Sequence, residues 1–296
     1  MKKARILAKR PLAILLTLIL ALSIAACGGG TDTQPSNTPA NTPANTPAQT
    51  PNTPDTPPAS DPVELIIFAA ASMTDTLEEV AELYKEVAPH VTLVFNFDSS
   101  GTLKTQIENG ADCDVFVSAA QRQMNELAEL NFVETGTRID ILENKAVLVV
   151  APGNPKGITS FAGLADALVG GNILMAMGNS DVPVGQYTQN ILKYFELDEE
   201  ALAKSGVITY GSNVREVTTQ VTEASADVGI VYATDAFSTK LQVVDTASAD
   251  MCGGQVIYPA AVLSITYNVD EAKAFLDYLT TPPAMAVFEN VGFSPV

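Results

Sequence analysis

The chain has 296 residues, with 16 Lys and Arg against 34 Asp and Glu, one His, three Cys and no Trp. A formal charge of −18 excludes the basic footprint that a nucleic-acid binder lays over phosphates. One His and three Cys leave too few ligands for a His-rich metal site or a cysteine zinc cluster, so no direct metal ligand and no cofactor is expected.

The first segment is basic, with Lys2, Lys3, Arg5, Lys9 and Arg10, and an apolar run from Leu12 to Ala26 follows. That run has the length of a signal-peptide core and is short for a bilayer span. It ends Ile24-Ala25-Ala26-Cys27, then Gly28-Gly29-Gly30. Small residues directly before a cysteine resemble the lipobox of bacterial lipoproteins. The resemblance implies removal of residues 1–26, lipidation of Cys27 and anchoring at the outer face of the cell membrane or in the periplasm. An ordinary signal peptide with an incidental cysteine is the plainer alternative. Residues 1–26 hold five basic and no acidic residues, so the remaining chain carries −23, five below the −18 of the whole.

Residues 27–61 read as a tether. Asn37-Thr-Pro-Ala repeats at Asn41 and Asn45, and nine of the 18 prolines lie between Pro35 and Pro62. Such a stretch has little to bury, so an extended, polyproline-like spacer is expected. At roughly 3 Å per residue it reaches on the order of 100 Å.

From Pro62 onward short apolar runs alternate with helical spacing, the pattern of an α/β fold. Strands are predicted at 63–70, 91–97, 114–117, 146–151, 173–177, 207–210 and 229–232. Helices are predicted around Leu77–Val87 and at 102–109, 186–195, 214–224, 270–279 and 284–290. Several strands run into small or hydroxylated residues just before a helix: Ala69-Ala-Ala-Ser72, Asp98-Ser-Ser-Gly101, Pro183-Val-Gly185 and Gly211-Ser-Asn-Val214. In open α/β sheets ligands sit beyond the carboxyl ends of strands. Helix starts there offer free N–H groups and a positive dipole end, which suits an anion. The plain alternative is capping: Ser72-Met-Thr-Asp75 fits a capping box, and Ser100 is placed to cap the next helix.

The runs Phe68-Ala-Ala-Ala-Ser72-Met and Phe97-Asp-Ser-Ser100-Gly-Thr-Leu resemble the periplasmic molybdate-binding proteins of ABC transporters. Ala111–Ala119, Asn144–Pro152, Val182-Pro-Val-Gly185-Gln-Tyr, Asn213-Val-Arg215, Gly229–Asp235 and Phe275–Leu279 with Val291-Gly-Phe293 keep step with them. The resemblance implies a two-lobe clamp of the type II periplasmic-binding-protein kind, with two crossovers. Lobe I would hold residues 62–142 and 237–296, and lobe II residues 143–236. It further implies high-affinity extracellular binding of molybdate, with tungstate as a near-isostere, by a monomer that delivers it to a permease with a cytoplasmic ATPase. Residue by residue, Ser72 and Ser100 would donate hydroxyl and backbone N–H, Val184 and Val214 backbone N–H, and Tyr232 its phenolic O–H.

The chemistry is coherent, since a valine serves when only its N–H is used, and neutral donors with helix dipoles replace a paired cation. Tyr232 also reads as a core tyrosine at a strand end. Arg215 is expected to bridge the lobes rather than touch the ligand. Asp98 is expected to point away from the cleft or to cap the next turn, because a carboxylate there would repel a dianion.

Three other readings compete. Sulfate, a smaller tetrahedral oxyanion, is the nearest. A serine esterase on Ser72 or Ser100 would have to use His90, with no Gly-x-Ser-x-Gly elbow in the chain, so no enzyme is expected. A sensory or adhesion lipoprotein is the third. Cys113 and Cys252 are expected as two independent thiols, though a disulfide remains open.

Overall fold

The structure, a computed structural model, describes residues 61–296. The signal segment, Cys27 and the Thr-Pro tether lie outside the described residues. Eleven strands and eleven α-helices follow in chain order among the described residues: β1 (Val63–Ala70), α1 (Thr74–Val87), β2 (Val91–Asp98), α2 (Ser100–Glu108), β3 (Val115–Val117), α3 (Gln121–Glu129), β4 (Ile139–Asn144), β5 (Ala146–Val150), α4 (Phe161–Val169), β6 (Met175–Gly178), α5 (Pro183–Tyr194), α6 (Glu199–Ser205), β7 (Ile208–Gly211), α7 (Val214–Thr222), β8 (Val228–Tyr232), α8 (Ala233–Thr239), β9 (Gln242–Thr246), α9 (Ala249–Cys252), β10 (Val256–Val262), α10 (Val269–Tyr278), α11 (Pro282–Asn290) and β11 (Ser294–Pro295).

Two sheets result. One has the order β11-β4-β10-β3-β1-β2 and the other β7-β6-β8-β5-β9. In the first, β1 runs parallel to β2 and β3, while β10 is antiparallel to β3 and β4. In the second, β6 runs parallel to β7 and β8, and β5 is antiparallel to β8 and β9. The strands that carry the chain between sheets are thus the antiparallel ones, and the parallel strands all end in helix starts.

The chain leaves the first sheet at Asn144 and enters the second at Ala146, with Lys145 alone between them. It returns through residues 247–255. The sequence placed the return near residue 237. Instead α8 packs on β5, β8 and β9, and β9 pairs with β5, so the second lobe runs ten residues further. The segment Gln242-Val-Val-Asp-Thr is an edge strand with its residues exposed or half-buried, which hides it from a search for apolar runs.

The elements that do carry apolar runs form for the expected reason. The strands β5 and β8 are buried at every residue, the pattern of a sheet covered on both faces. On α1 the buried residues Leu77, Val80, Ala81 and Tyr84 recur at i, i+3, i+4 and i+7, one face of a helix. Each such large side chain taken out of water contributes about 1.5–3 kcal/mol.

The two remaining cysteines, Cys113 and Cys252, are buried and free. Burial pushes both thiols up, so each stays protonated at neutral pH.

Candidate functional site

Six parallel-strand ends converge between the sheets. A cavity there is lined by Ala70, Ala71 and Ser72 after β1, Asp98, Ser99 and Ser100 after β2, and Ala119 after β3. From the other sheet come Val182, Pro183 and Val184 after β6, Val214 after β7 and Tyr232 at the end of β8. All five positions expected to contact a ligand, Ser72, Ser100, Val184, Val214 and Tyr232, therefore share one cavity. It is small, about 10 Å³.

Two of the hydroxyls are not caps. Ser99, not Ser100, caps α2, its Oγ accepting the Thr102 N–H at 3.1 Å. Ser100 is fully buried, and its Oγ accepts the Ala119 N–H at 3.0 Å. That leaves the Ser100 proton for another acceptor. The capping box at Ser72 is also absent. Ser72 sits in a single 3₁₀ turn, Ala71–Met73, ahead of α1, and α1 has no side-chain cap. Its Oγ lies 3.0 Å from the Tyr258 hydroxyl instead. The reason is tertiary: β10 brings Tyr258 under the turn, and no local pattern signals that partner.

The backbone donors follow from helix position. Proline at the first position starts α5, so Val184 is the second residue of that helix; Val214 is the first of α7. Neither N–H has a carbonyl one turn back to bond. Asn213 caps α7 through the Glu216 N–H at 3.1 Å, which leaves the Val214 N–H to the cavity. Tyr232 is 1 % exposed, with its hydroxyl 3.5 Å from the Ala119 carbonyl, a long bond that a better acceptor would displace. Burial holds the Tyr232 phenol well above its ordinary pKa, so it keeps its proton.

Among the described residues no Lys, Arg or His lines the cavity, and Asp98 is its one carboxylate. Asp98 does not turn away. Its Oδ1 accepts the Ser99 N–H at 2.7 Å and the Asn213 side-chain amide at 3.3 Å, which pins it between the lobes and spends that oxygen on N–H groups. Arg215 lies outside the lining. Its Nε donates to the Ala71 carbonyl at 3.1 Å and its guanidinium pairs with Asp75 at 2.6 Å, so it joins α7 of one lobe to the turn before α1 of the other. At Gly101 the Asp181 carbonyl accepts the backbone N–H at 3.1 Å. These four links hold the cleft shut.

His90 sits between α1 and β2, away from the cavity lining, with its carbonyl accepting the Val63 N–H. Among the described residues no serine is hydrogen-bonded to the His90 side chain.

Comparison with known proteins agrees with this geometry. Residues 65–294 match a family described as bacterial extracellular solute-binding protein. YvgL of Bacillus subtilis, named as a candidate ABC transporter substrate-binding lipoprotein, is 36% identical over 78% of this chain and 86% of its own. The molybdate-binding protein ModA of Haemophilus influenzae is 33% identical over 78% of this chain and 90% of its own. Among solved structures, the substrate-binding domain of a candidate molybdenum ABC transporter from Clostridium difficile superposes with a TM-score of 0.60 at 32% identity, covering 79% of this chain and 99% of that one. The relatives are solute carriers and not enzymes, and the two-sheet clamp is theirs as well: the chain belongs to the bacterial extracellular solute-binding proteins.

Proposed function

We propose that this protein captures molybdate outside the cell, with tungstate as a close substitute, and hands it to an ABC permease driven by a cytoplasmic ATPase. Ser72, Ser100, Val184, Val214 and Tyr232 are the proposed contacts, and Cys27 the proposed lipid anchor. The supporting observation is the donor set of the cavity. Apart from the Asp98 carboxylate, whose Oδ1 is held by the Ser99 and Asn213 N–H groups, the polar groups lining it are neutral O–H and N–H donors from both lobes, and no cation lines it among the described residues. A tetrahedral dianion of small size suits that set, since each oxygen accepts charge-assisted bonds and helix starts supply the compensating positive potential. A surface charge of −23 after removal of residues 1–26 acts at range and is screened within about 8 Å at physiological salt.

The test is thermal melting of the chain without residues 1–26, titrated with molybdate, tungstate, sulfate and phosphate. A ligand at 100 times its Kd adds about 2.7 kcal/mol, or roughly 5–10 °C for a domain of this size. Stabilisation by molybdate and tungstate alone supports the reading. Stabilisation by sulfate or phosphate alone overturns the ligand and keeps the clamp.

A further inference from the structure

Ser72 offers one hydroxyl to the cavity, and whether it donates or accepts there depends on what its oxygen does behind it. Behind it stands Tyr258, fully buried in β10, with its hydroxyl 3.0 Å from Ser72 Oγ. The same phenolic oxygen lies 3.2 Å from the side-chain nitrogen of Asn144. The orientation of that amide is fixed independently. Its oxygen accepts the Lys145 backbone N–H at 2.8 Å, and a backbone N–H only donates. The nitrogen must therefore face the other way, toward Tyr258 and toward Thr234 Oγ1 at 2.9 Å.

An amide nitrogen also only donates. Tyr258 Oη accordingly accepts from Asn144, and the acceptor that meets hydrogen-bond geometry for its own proton among the described residues is Ser72 Oγ at 3.0 Å. Burial holds the phenol well above its ordinary pKa, so that proton is always present. With its oxygen serving as acceptor to Tyr258, Ser72 directs its own proton into the cavity it lines. The four groups make a chain of donors with one direction, starting at the Lys145 N–H and ending at the ligand. Lys145 is the single residue of the outgoing passage between the sheets, and Thr234 belongs to the second lobe, so the chain's root lies where the lobes join.

We propose that Tyr258 and Asn144 are positioning residues that lock Ser72 as a hydrogen-bond donor toward the bound anion. The inference rests on the proposed contact between Ser72 and an oxyanion.

Tyr258→Phe is the substitution of choice because it keeps the ring and its packing and removes only the hydroxyl. Molybdate affinity is measured by titration calorimetry for wild type, Tyr258→Phe, Ser72→Ala and the double variant, with melting curves to verify folding. The expected result is a loss of about five- to tenfold for Tyr258→Phe when Ser72 is present, and no more than about 1.5-fold on the Ser72→Ala background. A role in packing alone would give equal losses on both backgrounds and overturns the inference while leaving molybdate as ligand. If wild type ignores molybdate but binds another tetrahedral oxyanion, the ligand reading falls and the same cycle, run with that anion, decides the inference. Wild type that binds no tetrahedral oxyanion refutes both.

Discussion

Ser100→Ala separates two jobs performed by one oxygen. In the folded protein Ser100 Oγ accepts the Ala119 N–H at 3.0 Å at a fully buried position. Removing it leaves a buried backbone donor without a partner, which costs about 1–3 kcal/mol of stability with or without ligand. The same removal deletes one charge-assisted bond to the anion, worth about 1.5–3 kcal/mol, or roughly 12- to 150-fold in Kd. Chemical denaturation of the free protein reads the first loss, and calorimetric titration with molybdate the second. The neighbouring Ser99→Ala serves as contrast. Its hydroxyl is engaged with Thr102, so it loses about 0.5–2 kcal/mol as a helix cap and changes affinity less than threefold. Wild-type affinity in Ser100→Ala would refute the hydroxyl as a donor, and equal affinity losses in both variants would refute the division of labour.

Three further outcomes are expected. Val184→Pro removes the N–H at the second position of α5, where proline is sterically tolerated, and lowers affinity at least tenfold in the titration, whereas Val184→Ala lowers stability by about 1–3 kcal/mol and leaves Kd within twofold. At Gly101 an added Cβ would stand 2.2 Å from the Asp181 carbonyl oxygen, backbone against backbone across the cleft, so Gly101→Ala props the lobes apart. Small-angle scattering should show it more open than wild type, with weaker binding; an unchanged profile and unchanged Kd would count against closure at that point. Asp235, in α8, is buried with Oδ2 unpartnered, and burial raises its carboxyl to about 7 against the pull of Arg215 and with the push of Asp75. A raised carboxyl pKa means that stability is fully present near pH 4, falls as pH rises to about 7, and is flat above, a loss on the order of 4 kcal/mol. Denaturation of Asp235→Asn across that range should lack the slope, and parallel pH profiles for the two proteins would remove Asp235 as its source.

How much of this was legible in the sequence differs by element. The strands β1, β5 and β8 announce themselves as apolar runs because both sheet faces are covered. The helix starts at Pro183 and Val214 are marked by local chemistry, a proline at the first position and an asparagine cap. By contrast β4 and β9 carry polar residues, and β10 holds Pro259 at a bulge where the register against β4 shifts, a feature that argues against a strand when read alone. Position along the chain marks the strand ends that meet at the cavity, while its five expected residues came from the family resemblance. The alternative of Ser72 as a cap fails because its partner, Tyr258, lies 186 residues away. Asp98 was expected to point away from the cleft or to cap the next turn; it accepts the next N–H, Ser99, but stays at the cleft, where the Asn213 amide that holds it comes from the opposite lobe. Links across lobes leave no trace in spacing along the chain.

The one-residue passage at Lys145 restricts what the empty clamp can do. Its carbonyl accepts the Ala233 N–H at 2.9 Å, and the returning segment is tied to the outgoing one where Ala247 N–H meets the Ala146 carbonyl at 2.9 Å. Two short, mutually bonded straps allow bending about a single axis and oppose sliding or twisting of one lobe over the other. Fewer relative arrangements of the lobes are then left to lose on closure, and more of the energy of each new hydrogen bond survives as affinity.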